Sequence, residues 1–211
     1  MNFKYYDVLS SLVVGYVLLV IGMYAFQIEY NNDYTVAYLA IAFLCGYIIN
    51  AIGSQCESFY YFTIGGKPSN RLLSIDRKEH CWLYNIFVPK NTGIKKVRFY
   101  ETETVRDLLL EGLEESIDGE PIEDRLFSKA KRTVNGNQDS RVPDFNAHYA
   151  LSRSILTTVL ISTIVIIVMN PCCWKSYLPI VILFICWRRY RERAYYYARE
   201  VLNEYLKKYK K

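Results

Sequence analysis

The chain has 211 residues, of which 52% are hydrophobic, 16% aromatic and 22% charged, and its formal net charge is +5 at pH 7. This much apolar and aromatic side chain excludes a mainly disordered protein. Only 10 Gly and 6 Pro exclude a collagen-like or low-complexity chain. Long uncharged stretches alternate with strongly charged ones, and this unevenness predicts the class of protein.

Four uncharged stretches predict membrane-spanning helices. Three of them, 8–28, 34–56 and 154–174, are long enough at about 1.5 Å per residue to cross a hydrocarbon core of roughly 30 Å. The alternative, a buried core helix, seldom has more than about 14 uninterrupted apolar residues. The fourth stretch, 176–187, is short, and it reaches a spanning length if Cys172, Cys173 and Trp174 are added and the flanking cations extend to the headgroups.

The charges that flank these stretches predict their orientation. The loop between the first two carries Glu29 and Asp33 but no Lys or Arg, whereas the tail 188–211 carries 9 Lys or Arg against 3 acids. Lys and Arg near span ends stay in the cytoplasm. Four spans therefore place both termini and the segment 57–150 on the cytoplasmic side of the membrane.

The cytoplasmic segment is long enough for a small folded module. Residues 58–64 and 71–77, joined by a turn with two Gly and a Pro, indicate a β-hairpin, and 81–88 with 94–101 indicate a second one. Two amphipathic helices are expected after them, at 103–117 and 122–132. The predicted fold is an α-helical integral membrane protein with transmembrane hairpins at 1–56 and 151–190, an α+β insert at 57–150 and a basic, Tyr-rich helix at 191–211.

Small and polar residues in the apolar stretches mark helix-packing faces. Gly15 and Gly22 are two helical turns apart, as are Gly46 and Gly53, so each pair lies on one helix face. Such faces permit close backbone approach, which predicts a tight hairpin or a contact between subunits. Asn50 requires a hydrogen-bond partner in the hydrocarbon. A stripe of hydroxyls is formed by Ser154, Thr158 and Ser162. Its hydroxyls either bond to backbone carbonyls of their own helix or line a water-filled pathway in an oligomer.

Candidates for catalysis are few. Arg141 and His148 have an R-x6-H spacing that resembles the loose signature of HEPN ribonucleases, in which Arg and His handle a phosphate and a 2′-hydroxyl. Val142 replaces the polar residue usual after the Arg, and Pro143 is expected to break the helix on which the motif should sit. Because no nucleophile elbow, CxxC pair or phosphate loop is present, we expect no enzyme activity, cofactor or metal.

The tail predicts an amphipathic helix that continues the fourth span. Its composition suits anionic headgroups and the interfacial aromatic belt. An acidic protein or a nucleic-acid strand is the alternative partner, because Tyr can stack on bases while Arg holds phosphates. The candidate cations are Arg188, Arg189, Arg191, Arg193, Arg199, Lys207 and Lys208.

The layout resembles the small four-span membrane accessory proteins encoded beside RNA-targeting CRISPR effectors. The likeness rests on YDVLSSLVVGYVLL at 6–19, the polar insert, HYALSRSIL at 148–156 and RRYRERAYYYAREVL at 188–202. It covers most of the chain as an arrangement, without a diagnostic motif. It implies an accessory protein that modulates an immune effector or damages the membrane during infection.

Three functional hypotheses follow. The first is a non-enzymatic accessory or effector of antiviral defence, whose cytoplasmic module senses a protein, nucleotide or RNA and whose spans form a homo-oligomer that perturbs the membrane. The second is a membrane anchor that recruits a cytoplasmic protein or nucleic acid, which the segregated charge of the insert motivates. The third is a membrane-associated ribonuclease that uses Arg141 and His148.

Overall fold

The computed structural model describes residues 5–74, 99, 101–111, 121–135, 140–171 and 173–209. Within these ranges the protein is all-α, with no β-strand. Short 3-10 turns at Asn32–Tyr34 and Trp174–Tyr177 precede two of the helices. The helices are α1 (Tyr5–Ala25), α2 (Thr35–Gln55), α3 (Glu57–Thr63), α4 (Pro68–Leu73), α5 (Thr102–Leu110), α6 (Ile122–Val134), α7 (Val142–Met169) and α8 (Leu178–Tyr209).

The predicted first β-hairpin of the insert is wrong. Residues 57–63 form helix α3, and Arg71 lies in helix α4. Tyr60 and Ile64 are both buried whereas Phe62 between them is 63% exposed, which fits one face of a helix and not a strand, where all three residues would share a face. Aromatic residues favour strands only where a pleated surface packs them. The predicted second hairpin, at 81–101, lies outside the described residues except for Phe99 and Glu101, which belong to no strand.

Two of the four predicted spans coincide with helices that are long and apolar enough to cross a membrane by length and composition. They are Asn32–Gln55, with 24 residues, and Val142–Met169, with 28 residues. The apolar part of α1, Ser10–Ala25, is shorter. The apolar part of α8 ends before Arg188, which is the eleventh residue of this 32-residue helix. The described residues thus contain two helices of spanning character rather than four.

The chain divides into two compact units. We call Met1–Glu57 with Ala147–Tyr190 the apolar unit, and Ser58–Asn146 with Arg191–Lys211 the charged unit. The helices α7 and α8 each contribute residues to both units. Each unit has its own core, and each is discontinuous in sequence.

The apolar unit is built on the pair α1 and α2, whose backbones approach closely at two glycines. A Cβ added at Gly15 would overlap the carbonyl oxygen of Ala42, and one added at Gly46 would overlap the carbonyl oxygen of Ser11. No residue with a side chain fits at either position without separating the helices. The connection between them is fixed locally, because the Asn31 side chain accepts a hydrogen bond of 2.9 Å from the Asp33 N–H.

The charged unit packs α4, α5 and α6 against one another. Its core contains apolar side chains from these helices and from the second half of α8, and cations satisfy the exposed helix ends. Arg106 donates to the Leu73 carbonyl at the end of α4 over 2.9 Å. Lys129 donates to the carbonyls of Leu109 and Glu111 at the end of α5, over 2.9 and 2.6 Å. The fully buried core side chains include Leu73, Val105, Leu109, Leu126, Val201, Leu202 and Tyr205.

Candidate functional site: a polar cluster in the apolar unit

An ion pair joins two helices of the apolar unit. Arg153 of α7 places its Nη1 3.0 Å from Oε2 of Glu57, and its Nη2 donates to the Asn50 Oδ1 over 3.3 Å. The Arg153 side chain is only 12% exposed and that of Glu57 28%. The pair is therefore largely removed from solvent. Replacing either partner would leave the other as an uncompensated, mostly buried charge.

Two tyrosines extend this cluster. The Tyr149 hydroxyl donates to Oε1 of Glu57, so both carboxylate oxygens have a partner. The rings of Tyr149 and Tyr190 lie 5.6 Å apart, and their hydroxyl oxygens are 3.3 Å apart. The guanidinium carbon of Arg153 lies 5.8 Å from the centre of the Tyr149 ring, within the range of a cation–π contact. The cluster thus ties α7 and α8 to Asn50 of α2 and to Glu57, the first residue of α3.

Hydroxyl side chains follow the cluster along α7. Ser154 Oγ donates to the Asn50 Oδ1 over 3.3 Å, so Asn50 has two partners on another helix. The Thr157 and Thr163 hydroxyls bond to backbone carbonyls four residues earlier, over 2.9 and 2.6 Å. The predicted stripe is buried throughout, at Ser154, Thr158 and Ser162. Its hydroxyls face protein, not an exposed surface at which another subunit could pack.

The chemistry open to this cluster is binding and positioning. It contains one guanidinium, one carboxylate, two phenols and one amide. In the part of the chain that the structure describes, no three His, Cys, Asp or Glu side chains come together as a metal site would require. The charge of Arg153 is balanced by Glu57, and a fixed pair of this kind holds helices in register.

The four predicted packing glycines are in different environments. Gly15 and Gly46 form the close contact between α1 and α2, and Gly53 lies against α7, where an added Cβ would be 2.8 Å from Oγ1 of Thr157. Among the described residues, no heavy atom lies within 4 Å of a Cβ added at Gly22. Three of the four glycines therefore serve contacts within one chain, and the described residues give Gly22 no such contact.

Arg141 and His148 are both exposed at the start of α7. Arg141 precedes the helix in the charged unit and His148 belongs to the apolar unit. Pro143 does not break the helix: α7 begins at Val142, and Pro143 lies in its first turn, where a helix does not use the missing N–H. The ribonuclease hypothesis stays a prediction, which unchanged activity of a His148→Ala variant would contradict.

The tail differs from a surface helix lying freely on lipid. Tyr195, Tyr197 and Tyr205 are buried in the charged unit, and Phe127 packs edge-on against Tyr197, with ring centres 6.4 Å apart. Of the seven candidate cations, Arg191 is buried, Arg193 and Arg199 are half-buried, and the exposed ones are Arg188, Arg189, Lys207 and Lys208.

Two titratable groups of the tail have shifted pKa values. Burial raises the pKa of Tyr205 to about 12, and Tyr209 and the Glu111 carboxylate add to the shift. The hydrogen bond of 2.6 Å to Glu204 and the charge of that carboxylate raise the pKa of Lys207, which is exposed. The tail therefore holds a phenol that resists ionisation, at Tyr205, and an ammonium group that holds its proton more strongly than usual, at Lys207.

The sequence analysis missed the charged members of the cluster. Glu57 and Arg153 directly follow and precede two of the apolar stretches, and they served there only as the boundaries of those stretches. Tyr149 and Tyr190 were missed as well. The available signal was one acid and one base at the same ends of two antiparallel spans, together with an amide two turns inside the span that needs a partner.

Comparisons with other proteins identify no relative. No protein-family model matches the chain, and neither the curated proteins nor the solved structures contain a significant match.

Proposed function

We propose that the protein is a multi-span membrane protein whose apolar unit lies in the lipid bilayer. The observation that carries this proposal is the inverted placement of side chains: only 22% of the apolar stretch of Asn32–Gln55 is buried within the protein. A core helix of a soluble protein would be mostly buried. Large apolar side chains instead cover the outer faces of the helices, at Val13, Val17, Val20, Val36, Leu39, Phe43, Tyr47, Ile164, Val168, Val181 and Ile185.

The short connections support four spans. Exposed aromatic residues surround both connections of the apolar unit, as in the interfacial belt of membrane proteins. The Asn170 Nδ2 lies 3.5 Å from the Tyr24 hydroxyl, so the two connections belong to the same end of the unit. In this proposal α1 and the first part of α8 are the remaining spans. The belt residues are Tyr24, Tyr30, Tyr34, Trp174 and Tyr177.

The orientation follows from the charges. The first connection has Glu29 and Asp33 without a cation, and the second has only Lys175. The two connections then face the outside of the cell, and the charged unit lies on the cytoplasmic side of a bacterial inner membrane. The exposed cations at the start of the tail would lie where anionic headgroups are available.

A pair of cysteine variants tests the topology. In a chain whose six native Cys are replaced, Asn31→Cys and Lys208→Cys are labelled with a membrane-impermeant maleimide. Four spans expose the thiol at position 31 only in intact spheroplasts and the thiol at position 208 only in inverted vesicles. If only α2 and α7 cross the bilayer, both positions are labelled from the same side, and the four-span proposal is wrong. Extraction of the protein by alkaline carbonate without detergent would contradict any membrane span.

In this setting the leading function is that of a non-enzymatic accessory or effector protein. The charged unit would sense a protein, nucleotide or RNA, and the continuous helices α7 and α8 provide a covalent route from it to the apolar unit. The resemblance in layout to defence-associated membrane proteins suggests antiviral defence as the context, with a homo-oligomer that perturbs the membrane. Release of dye from liposomes containing the protein, with and without extract of infected cells, tests this role. The absence of leakage in both cases would contradict it.

An acidic stripe favours the second candidate, a membrane anchor for a basic partner. Glu103 and Asp107 are exposed one turn apart on α5, and Glu111, the residue that follows the helix, is exposed as well. None of the three forms an ion pair within the described ranges. Like charges at this spacing destabilise a helix. The full chain in nanodiscs should bind a polylysine peptide in a salt-dependent manner, and a variant with all three acids changed to amides should bind at least about tenfold less. Equal binding by the two proteins would dismiss this candidate.

A further inference from the structure

Helix α3 and the residue that follows it are apolar on two opposite faces. Tyr60 and Ile64 are 2% and 0% exposed, whereas Phe59 and Phe62 are 59% and 63% exposed. At about 100° per residue, the two Phe lie roughly 60° apart, on the side of the helix opposite Tyr60 and Ile64. A helix that is apolar all round is normally covered on every side. The outer face, formed by Phe59 and Phe62, therefore requires a covering that the described part of the chain does not supply.

Such exposure is unusual in the charged unit. Among its described residues, the other exposed large apolar side chains are those of Leu110, Ile122 and Tyr209, at 39%, 39% and 52%. Each of these lies on a different helix, and apolar residues exposed singly are normal on proteins in water. Phe59 and Phe62 instead lie one turn apart on one helix and are the most exposed of the five. Together they form an apolar surface of the kind that marks an interaction site.

Chain connectivity alone places this surface at one end of the apolar unit. Glu57, the first residue of α3, belongs to the apolar unit and is held there by Arg153 and by the Tyr149 hydroxyl. Along the helix, Phe59 is only about 3 Å and Phe62 only about 8 Å beyond Glu57. These distances do not depend on the direction in which α3 runs. Both rings therefore lie within two turns of the charged residue that follows the apolar stretch of α2.

We propose that Phe59 and Phe62 insert into the lipid bilayer at its cytoplasmic boundary, so that α3 is an interfacial helix between the span α2 and the rest of the charged unit. In the proposed topology Glu57 and Arg153 mark the level at which the hydrocarbon ends. Exposed aromatic rings at this level are typical of interfacial segments. The inference rests on the proposed membrane location of the apolar unit and extends it, because a helix of the charged unit then also binds lipid.

Lipid is favoured over protein as the covering of this surface. Exposed apolar side chains line α2 as far as Tyr47 and Ile48, at 68% and 47% exposure, so the helix to which α3 is directly joined already has a lipid-facing surface in this proposal. A bilayer is then present beside α3 without any further partner. The alternatives are segment 75–98 of the same chain, which lies outside the described residues, and a second copy of the protein. Both are outcomes of the test below.

Quenching of Trp fluorescence by lipids brominated near the top of the acyl chain tests the contact. The full chain with its three native Trp changed to Phe is reconstituted in liposomes and carries Phe62→Trp, Tyr47→Trp or Ile122→Trp. Tyr47 reports on lipid beside the span, and Ile122 is the matched exposed apolar residue of the charged unit. We expect brominated lipid to quench Phe62→Trp at least about twofold more strongly than Ile122→Trp.

The reporters separate failure of this inference from failure of the membrane proposal. Quenching of Tyr47→Trp without quenching of Phe62→Trp would overturn the interfacial contact and leave the membrane proposal standing. In that case acrylamide shows whether the indole of Phe62→Trp faces water or is covered by protein. Absence of lipid quenching at both positions would contradict the membrane location as well. Equal quenching of Phe62→Trp and Ile122→Trp would show that lipid contact is not a property of α3, and would also overturn the inference.

A second variant tests whether the two rings insert together. Phe59→Gln, made in the Phe62→Trp reporter, removes the neighbouring ring and should lower the quenching by brominated lipid by roughly half. Ser58→Gln is the matched control, because Ser58 is exposed and polar on the same helix, and it should leave the quenching unchanged. Both substitutions are at exposed positions, so neither removes a core side chain. Unchanged quenching in Phe59→Gln would refute joint insertion.

Discussion

The two units of this protein place their polar side chains in opposite ways. In the apolar unit Ser154 and Thr157 are buried while Val36 and Val168 are exposed. In the charged unit Leu126 is buried and Lys131 exposed. Side chains are sorted according to the solvent that a surface meets. In the proposed topology this contrast corresponds to two solvents, lipid for the apolar unit and water for the charged unit, so equivalent substitutions should have different effects in the two units.

The largest effect is expected where the helices of the apolar unit meet backbone to backbone. In Gly46→Leu the new side chain overlaps the Ser11 carbonyl oxygen, so α1 and α2 must separate. We expect a loss of more than about 3 kcal/mol of unfolding free energy, measured by denaturant titration in micelles. A Cβ added at Gly22 meets no described atom of another element within 4 Å, so Gly22→Leu should change stability by less than about 1 kcal/mol. Equal losses would mean that the close contact does not determine stability.

The next effect contrasts a buried ion pair with an exposed one. Arg153→Met removes the partner of Glu57 and two hydrogen bonds, which should cost about 3 kcal/mol. Lys67→Met breaks a pair whose Lys side chain is 50% exposed, and it should cost no more than about 0.5 kcal/mol. The double variant Arg153→Met with Glu57→Leu should recover part of the first loss. A single Arg153→Met variant as stable as the wild type would refute the structural role of the cluster.

A smaller effect concerns the pH dependence of the charged unit. An unfolded Tyr ionises near pH 10, whereas Tyr205 in the folded unit has a pKa of about 12. Between these values the unfolded state holds fewer protons than the folded state, so stability falls as pH rises, by about 2 kcal/mol. Unfolding titrations at about pH 9.5 and about pH 12 should show this fall in the wild type and a reduced fall in Tyr205→Phe. An identical fall in both proteins would contradict the assignment to Tyr205.

The smallest effect concerns the end of a helix. Lys129 donates to two carbonyls at the end of α5, so Lys129→Met should lower the unfolding free energy by about 1 kcal/mol. Lys131 is exposed on the same helix, and Lys131→Met is expected to change stability by less than about 0.5 kcal/mol. If the two variants have the same unfolding free energy, the hydrogen bonds of Lys129 at the helix end make no measurable contribution to stability.

Local patterns predicted the helical elements better than the strands. The uncharged stretches 34–56 and 154–174 indicated long helices, because such lengths exceed those of buried helices. The sequence SFYYFTI indicated a strand because Phe and Tyr are frequent in strands. In the structure Tyr60 packs into a helical core. Strand propensity depends on the residues that pack against a segment in the folded protein. A seven-residue sequence does not specify those residues.

The polar cluster could be predicted only in part. The amide of Asn50 in an apolar stretch indicated an interhelical hydrogen bond, and it lies 3.3 Å from both Arg153 and Ser154. The pairing of Glu57 with Arg153 joins residues 96 positions apart. Their identity as partners depends on how α2 and α7 are aligned, which no local pattern specifies. The buried state of Tyr195 and Tyr205 was missed for the same reason, because the tail by itself does not show which helices cover it.

The discontinuity of the charged unit imposes an order on biosynthesis. Residues 58–146 leave the ribosome before Val201, Leu202 and Tyr205, which complete their core. Residues 147–190 are made in between, so the second pair of apolar helices emerges while that core is still open. In the proposed topology, translocon insertion of α7 and the start of α8 would then precede closure of the soluble half. A nascent chain stalled near position 190 should accordingly be sensitive to protease in its insert.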